Sequence, residues 1–284
     1  MSKALVLSGG GPLAVAWECG VIAGLDHSGI TLNDADFFLG TSAGAIVSAQ
    51  IATGRDPASM VDTILAESDY PPQETHHIHY PQTVIARLPE MFRKAHTGDL
   101  GRIEVGAYAL ESSTPDSLNR YVERMSSMVN VAIWPDTIGV VAVDTATGQP
   151  TVLRRDCGAS LGTAVAASCS LPGLTPPVPI SGQHFMDGGL RSSANADLVG
   201  PFHTVLIISF APPGPVGERI TSRVTAQADE LQANGASVLV ITPDDRCQDA
   251  IGSQTMDFAR RPEIARQGQA QGVAIASRLA QFWR

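Results

Sequence analysis

Two short apolar runs near the N-terminus each end in small residues and then pass into a helical pattern. Residues 4–8 read as a strand, Gly9-Gly10-Gly11 follows, and residues 13–25 carry Ala14, Trp17, Val21 and Leu25 at the spacing of one helix face. Residues 37–39 read as a second strand, Gly40-Thr41-Ser42-Ala43-Gly44 follows, and residues 43–52 read as the next helix. Two strand–loop–helix units in the first 55 residues restrict the chain to the α/β class with a largely parallel sheet.

The remaining pattern extends that sheet. Residues 137–143 and 150–153 flank a polar break and read as a hairpin. Residues 160–167 read as a short helix, 171–179 as a rigid loop holding four prolines, and 184–186 as a strand leading into Asp187. Residues 204–210 and 236–242 are continuous Val- and Ile-rich runs, typical of buried parallel strands. Residues 246–283 read as a terminal helix. Residues 67–130 differ: Pro71-Pro72, three histidines (His76, His77, His79) and scattered helical pattern suggest a helical insertion over the sheet, a candidate lid. Within it Ile85, Leu88 and Phe92, with Met91, recur at helical spacing, which suits either a cleft wall or plain core packing.

Composition narrows the partners. With 284 residues, 44% of them hydrophobic, the chain can bury a substantial core, and it is read as one domain over residues 1–284. A formal charge of -9 argues against nucleic acid, whose phosphates are bound by Lys and Arg. The four cysteines, at positions 19, 157, 169 and 247, have no C-x-x-C spacing, so neither a zinc site nor a disulfide framework is expected. No apolar run has the length of a secretory leader or a membrane span. A cytoplasmic protein is expected, with any lipid contact peripheral. The three histidines at 76–79 lack matched ligand spacing and suit a solvated loop better than a metal site.

Gly40-Thr41-Ser42-Ala43-Gly44 has the setting of a nucleophile elbow, a sharp strand-to-helix turn that lifts a hydroxyl from the backbone. By itself the string also fits an ordinary turn with an unreactive serine. Ser42 needs a base, and of the later histidines only His184 and His203 lie in the C-terminal half, neither in an evident catalytic loop. Asp187 in Asp187-Gly188-Gly189 suits better, because a desolvated carboxylate can accept the serine proton directly. Alone, that triplet equally fits a hairpin turn. Gly9-x-Gly11-x-x-Ala14 satisfies a loose dinucleotide fingerprint, but Asp34 and Asp36 precede the second strand instead of ending it. The alternative is an oxyanion hole built from glycine amides.

Taken in order, these residues resemble the patatin-like phospholipase family over most of the chain. Residues 5–11 (Leu-Val-Leu-Ser-Gly-Gly-Gly) match its oxyanion loop and residues 40–44 its nucleophile elbow. Residues 166–173 with Pro176-Pro177-Val178 match its approach to the acid, and Asp187-Gly188-Gly189 its acid motif. The resemblance implies a three-layer α/β/α fold with a mostly parallel central sheet. It implies a Ser42–Asp187 dyad without catalytic histidine, and hydrolysis of fatty acyl esters of lipids without a metal or organic cofactor. Gly40, Gly44, Gly188 and Gly189 then support the two motifs. One departure is visible. The family's loop continues with a basic residue and a further glycine, whereas here Pro12-Leu13-Ala14 follow. Pro12 removes one amide, leaving Gly9, Gly10 or Gly11, with Ala43, as the expected oxyanion donors. Two other readings stand beside this one: a patatin-fold lipid-binding or regulatory protein without turnover, and a nucleotide-binding α/β protein.

Overall fold

The structure, a computed structural model, describes residues 2–69, 82–112, 115–129, 131, 133–252 and 254–283. Among them, eight strands form one sheet: β1 (Lys3–Leu7), β2 (Phe37–Thr41), β3 (Ile138–Asp144), β4 (Pro150–Leu153), β5 (Val178–Ile180), β6 (Gln183–Asp187), β7 (Thr204–Ile208) and β8 (Ser237–Ile241). The order is β5-β6-β3-β2-β1-β7-β8, with β4 attached to β3. The run β3-β2-β1-β7-β8 is parallel, while β4 and β6 pair antiparallel with β3 and β5 with β6. The parallel strands β1, β2, β3 and β7 are apolar and almost wholly buried, as strands covered on both faces must be.

Helices cover both faces. Apart from one turn at Gln82–Ile85, the α-helices are α1 (Gly11–His27), α2 (Ala43–Ala52), α3 (Pro57–Leu65), α4 (Leu88–Ala95), α5 (Asp99–Glu111), α6 (Pro115–Val129), α7 (Leu161–Ser168), α8 (Pro215–Ala233), α9 (Asp245–Ile251) and α10 (Arg261–Phe282). Strand alternation divides the core. Leu5, Leu7, Phe38, Leu206 and Ile208 join one cluster with residues of α1, α2, α7 and α10. Ala4, Val6, Leu39, Val205 and Ile207 join another with Val224, Ala228 and Leu231 of α8. This is the expected α/β/α arrangement, with a sheet more mixed at its β5-β6 end than the apolar runs suggest.

The edge of β3 is shared in a way that positions the site. On one side β4 pairs along residues 140–143. On the other, β2 pairs as far as Thr41↔Val141, and β6, running the opposite way, takes over at Asp187↔Ala142. The C-terminal ends of β2 and β6 therefore meet head to head.

Three expectations change. The C-terminal stretch is two helices: α9 ends at Ile251, Gly252 turns the chain at φ 62°, and α10 starts at Arg261. α8 has no counterpart in the sequence reading because its buried face is a narrow stripe on a largely polar helix. The described part of residues 67–130 contributes to the helical layers on both faces of the sheet. Ala95 of α4 and Val105 of α5 pack with Val143, Met186 and Leu190, and Met91 and Phe92 lie against them, so this much of the stripe is core packing. On the opposite face the Tyr121 hydroxyl of α6 donates to the Ala166 carbonyl of α7 at 2.8 Å. Pro71, Pro72, His76, His77 and His79, with that part of the expected cover, lie outside the described residues.

Candidate active site

Ser42 occupies the turn between β2 and α2 at φ 51°, ψ -114°, a backbone region that costs energy for a residue with a Cβ. The turn needs its flanking glycines. A Cβ on Gly44 would stand 2.1 Å from the Leu7 carbonyl oxygen, and one on Gly40 would stand 2.5 Å from Ala45 Cα, because α2 lies directly on the strand backbones. The Ser42 hydroxyl donates to Asp187 Oδ2 at 2.8 Å across 145 residues of sequence. Asp187 is 1% exposed, whereas Ser42 remains partly open to solvent. Asp187 Oδ1 accepts the Gly189 amide at 2.7 Å, which fixes the carboxylate plane.

Burial pushes the Asp187 carboxyl from its ordinary 3.8 up to about 7, against the smaller lowering effects of the Ser42 and Gly189 hydrogen bonds. A base poised there is strong enough to accept a proton and still half ionised near neutrality.

The N-terminal turns supply donors. Gly44 N–H is spent on the Ser8 carbonyl at 2.9 Å and Ser42 N–H on Ser168 Oγ at 2.8 Å. Gly9 was expected among the oxyanion donors, but its N–H donates to the Ser193 carbonyl at 2.8 Å. Its place in the motif is steric: a Cβ there would come within 3.2 Å of Ser42 Cβ. Among the described residues, no acceptor is found for the amides of Gly10, Gly11 and Ala43. Gly10 and Gly11 adopt φ 158° and 72° at the start of α1, and Ala43 starts α2, so two helix N-termini bring unpaired amides to the site. Pro12 falls in the first turn of α1, where no intrahelical donor is needed, and the helix starts normally.

Two supporting residues have no assigned role in the sequence reading. Ser168 Oγ accepts from Ser42 N–H and donates to the Val141 carbonyl at 2.6 Å, tying the elbow to β3. Asn195, in the left-handed region, donates through Nδ2 to Thr41 Oγ1 at 3.2 Å, the Gly188 carbonyl at 3.2 Å and the Ser192 carbonyl at 2.6 Å. It joins the end of β2 to the loop after Asp187. Ser168 lies within the quoted 166–173 stretch, so position alone pointed near it; Asn195 had no such flag. Cys169 stands beside both Ser42 and Asp187. Burial first, then the charge of Asp187, holds its thiol well above the usual range, with the neighbouring Ser42 hydroxyl acting the other way, so it stays protonated.

Histidines and the dinucleotide reading fare differently. His184 is exposed on β6 opposite Pro179, and His203 is exposed and bonds Ser2 Oγ, so neither reaches Ser42. His96 Nε2 lies 3.3 Å from the Gly189 carbonyl oxygen, two residues past Asp187. Asp36 accepts the Lys3 amide, and Asp34 binds Lys3 Nζ and the Trp283 indole; both are spent on tying chain ends, not on a ribose.

The family model for patatin-like phospholipases matches residues 5–199. An uncharacterized NTE family protein of Mycobacterium tuberculosis and one of Mycobacterium bovis are each 30% identical to this chain over 198 residues, covering 70% of it. The chain spans 28% of the length of these curated relatives. Among solved structures, VipD from Legionella pneumophila shares the fold at 13% identity and a TM-score of 0.52, over 98% of this chain and 67% of VipD.

Proposed function

The chain belongs to the patatin-like phospholipase family, and on that premise we propose that it is a serine hydrolase of fatty acyl lipid esters, with Ser42 as nucleophile and Asp187 as general base and acid. The observation that carries the reading is the 2.8 Å hydrogen bond from Ser42 Oγ to a buried carboxylate, at a positive-φ turn flanked by unpaired amides.

Ser42 Oγ attacks the ester carbonyl carbon while its proton passes to Asp187 Oδ2. The carbonyl oxygen becomes an oxyanion, stabilised by the amides of Gly10, Gly11 and Ala43 and by the dipoles of α1 and α2. When the carbon–oxygen bond to the leaving alcohol breaks, Asp187 returns the proton to that alcohol. Water then attacks the acyl-enzyme, gives its proton to Asp187, and the proton goes back to Ser42 Oγ as the fatty acid leaves. Each step uses side chains and amides of the chain, water and the substrate. The reading treats the described layers as one catalytic domain, and it places lipid contact at the protein surface.

A fluorophosphonate probe and a series of p-nitrophenyl esters of increasing chain length test the reading. Wild type should label once and turn over esters, and Ser42→Ala should lose labelling and about 10⁴-fold or more of kcat. Ester turnover surviving in purified Ser42→Ala would remove the nucleophile assignment. A folded wild type that neither labels nor turns over would favour the lipid-binding reading.

A further inference from the structure

β1, β2 and β7 are parallel, so the glycine loop, Ser42 and the segment leading from β7 into α8 all leave the sheet at one edge. α8 is then held down one turn past Arg223: Gln227 accepts from the Ala196 amide and the Ser192 hydroxyl, each at 3.3 Å, and also bonds Asp197, within the segment that follows Asp187. The half of α8 nearest the site edge carries Arg219 and Arg223, four residues apart on one face and both exposed. Val216, half exposed, lies on that face, and Glu218 falls off it by helical spacing.

These arginines sit in an unbalanced cluster. The positive charges of Arg223, Arg102 and Arg219 all bear on His96, whose ring nitrogen touches the Gly189 carbonyl beside the acid. Arg223 itself, though exposed, is held below its usual range by partial burial and then by the charges of Arg191 and Arg102, with Asp197 acting the other way. Arg102 is committed to Asp99 and to the carbonyls of Gly148 and Ala95, and Arg191 to Asp197 and Asn195. Among the described residues, Arg219 and Arg223 have no ion-pair partner. A chain of net charge -9 does not need this local excess for solubility, and Asp197, already paired with Arg191, offsets it only in part. One exposed apolar group lies on the same face as the charge: Val216 of α8, 50% exposed. Arginine beside an exposed aliphatic side chain matches the boundary between lipid headgroups and acyl chains.

We propose that Arg219 and Arg223 form a binding site for the phosphate of an anionic phospholipid headgroup, beside the Ser42–Asp187 pair, at which Val216 meets the acyl region of the same lipid surface. In taking that lipid as the substrate, the proposal rests on the hydrolase reading; the binding itself does not. Co-sedimentation with vesicles of phosphatidylcholine alone, and of phosphatidylcholine with phosphatidylglycerol, tests it. Wild type should sediment with the second and not the first. R219Q/R223Q should bind the anionic vesicles about thirtyfold more weakly, and R219K/R223K should keep most of the binding. Turnover of p-nitrophenyl butyrate and the melting temperature should be unchanged in both variants. Equal sedimentation of wild type and R219Q/R223Q, or equal binding to both vesicles, would overturn the site. Release of wild type from vesicles by inorganic phosphate, where chloride at the same ionic strength has no effect, would make the ligand a free phosphate and overturn the lipid. Absence of butyrate turnover in wild type would count against the hydrolase reading alone, since sedimentation is read without it.

Discussion

In the proposed mechanism Asp187 couples activity to stability through one proton. Its carboxyl stands at about 7 in the folded chain against 3.8 ordinarily, because burial penalises the anion more than Ser42 and Gly189 stabilise it. Between those values the folded state holds a proton that the unfolded state has lost, so stability falls as pH rises through that window and levels off above it. The base form appears over the same upper range, so kcat/KM should rise with pH through an apparent value near 7; a profile already flat at pH 5 would speak against Asp187 as the base. Asp187→Asn should abolish turnover yet raise the melting temperature at pH 8, by on the order of 2–4 kcal/mol of stability, with little gain at pH 4. Ser168→Ala tests a positioning role. Loss of its hydroxyl leaves Ser42 N–H and the Val141 carbonyl without their partner, at a cost of about 1–3 kcal/mol. It should lower kcat by about tenfold to hundredfold with KM nearly unchanged while Ser42 still labels. An unaltered kcat would show that the elbow holds its shape without Ser168.

Among elements, the contact between α1 and α10 governs how the glycine loop is supported. α1 starts in the glycine loop, and α10 crosses it so closely that glycines from both helices are in the contact. A Cβ on Gly24 would stand 2.1 Å from the Gln269 carbonyl oxygen, and one on Gly272 would stand 2.3 Å from that of Val21. Gly20 and Gly24, with Gly268 and Gly272, repeat every fourth residue, a small-residue spacing that permits backbone approach. Gly24→Val or Gly272→Val should each cost more than about 3 kcal/mol in urea denaturation, because backbone atoms have to move. Val273→Ala, at a 46% exposed position on the same helix, should stay within about 0.5 kcal/mol. Equal effects at buried and exposed positions would mean that the helices do not meet in this way.

For the whole molecule, the chain ends and the buried acids set the stability profile. Lys3 of β1 binds Asp34 and the Trp283 carbonyl and lies 5.2 Å over the Trp283 ring, so the first strand and the end of α10 close on each other. Glu18 of α1 is fully buried and has no ion-pair partner among the described residues; burial holds its carboxyl well above the ordinary range, only partly offset by the Ser8 backbone. It acts with Asp187 in the same direction: both keep protons on folding, so the protein should be more stable in mild acid than at neutral pH, unlike one stabilised by ionised carboxylates. Glu18→Gln should raise the melting temperature at pH 7.5 more than at pH 4.5. A melting temperature that does not change between those values in wild type would mean that Glu18 is ionised and paired.

The sequence by itself determined the α/β class, the glycine-flanked elbow at Ser42 and the order of the three motifs. These are local: a strand, a turn that tolerates no side chain and a helix follow one another within a few residues, and backbone sterics limit what they can form. Tertiary structure decided the rest. Ser42 and Asp187 meet because β2 and β6 approach the same edge of β3 from opposite directions, a pairing of distant segments that local propensity does not encode. It also decided that Gly9 gives its amide to Ser193 while Gly10, Gly11 and Ala43 keep theirs, since an amide's partner depends on which distant carbonyl packs against it. The roles of Ser168, Asn195 and the arginines of α8 escaped the sequence reading for the same reason. Each is an ordinary polar residue until the fold places it beside the elbow or the acid.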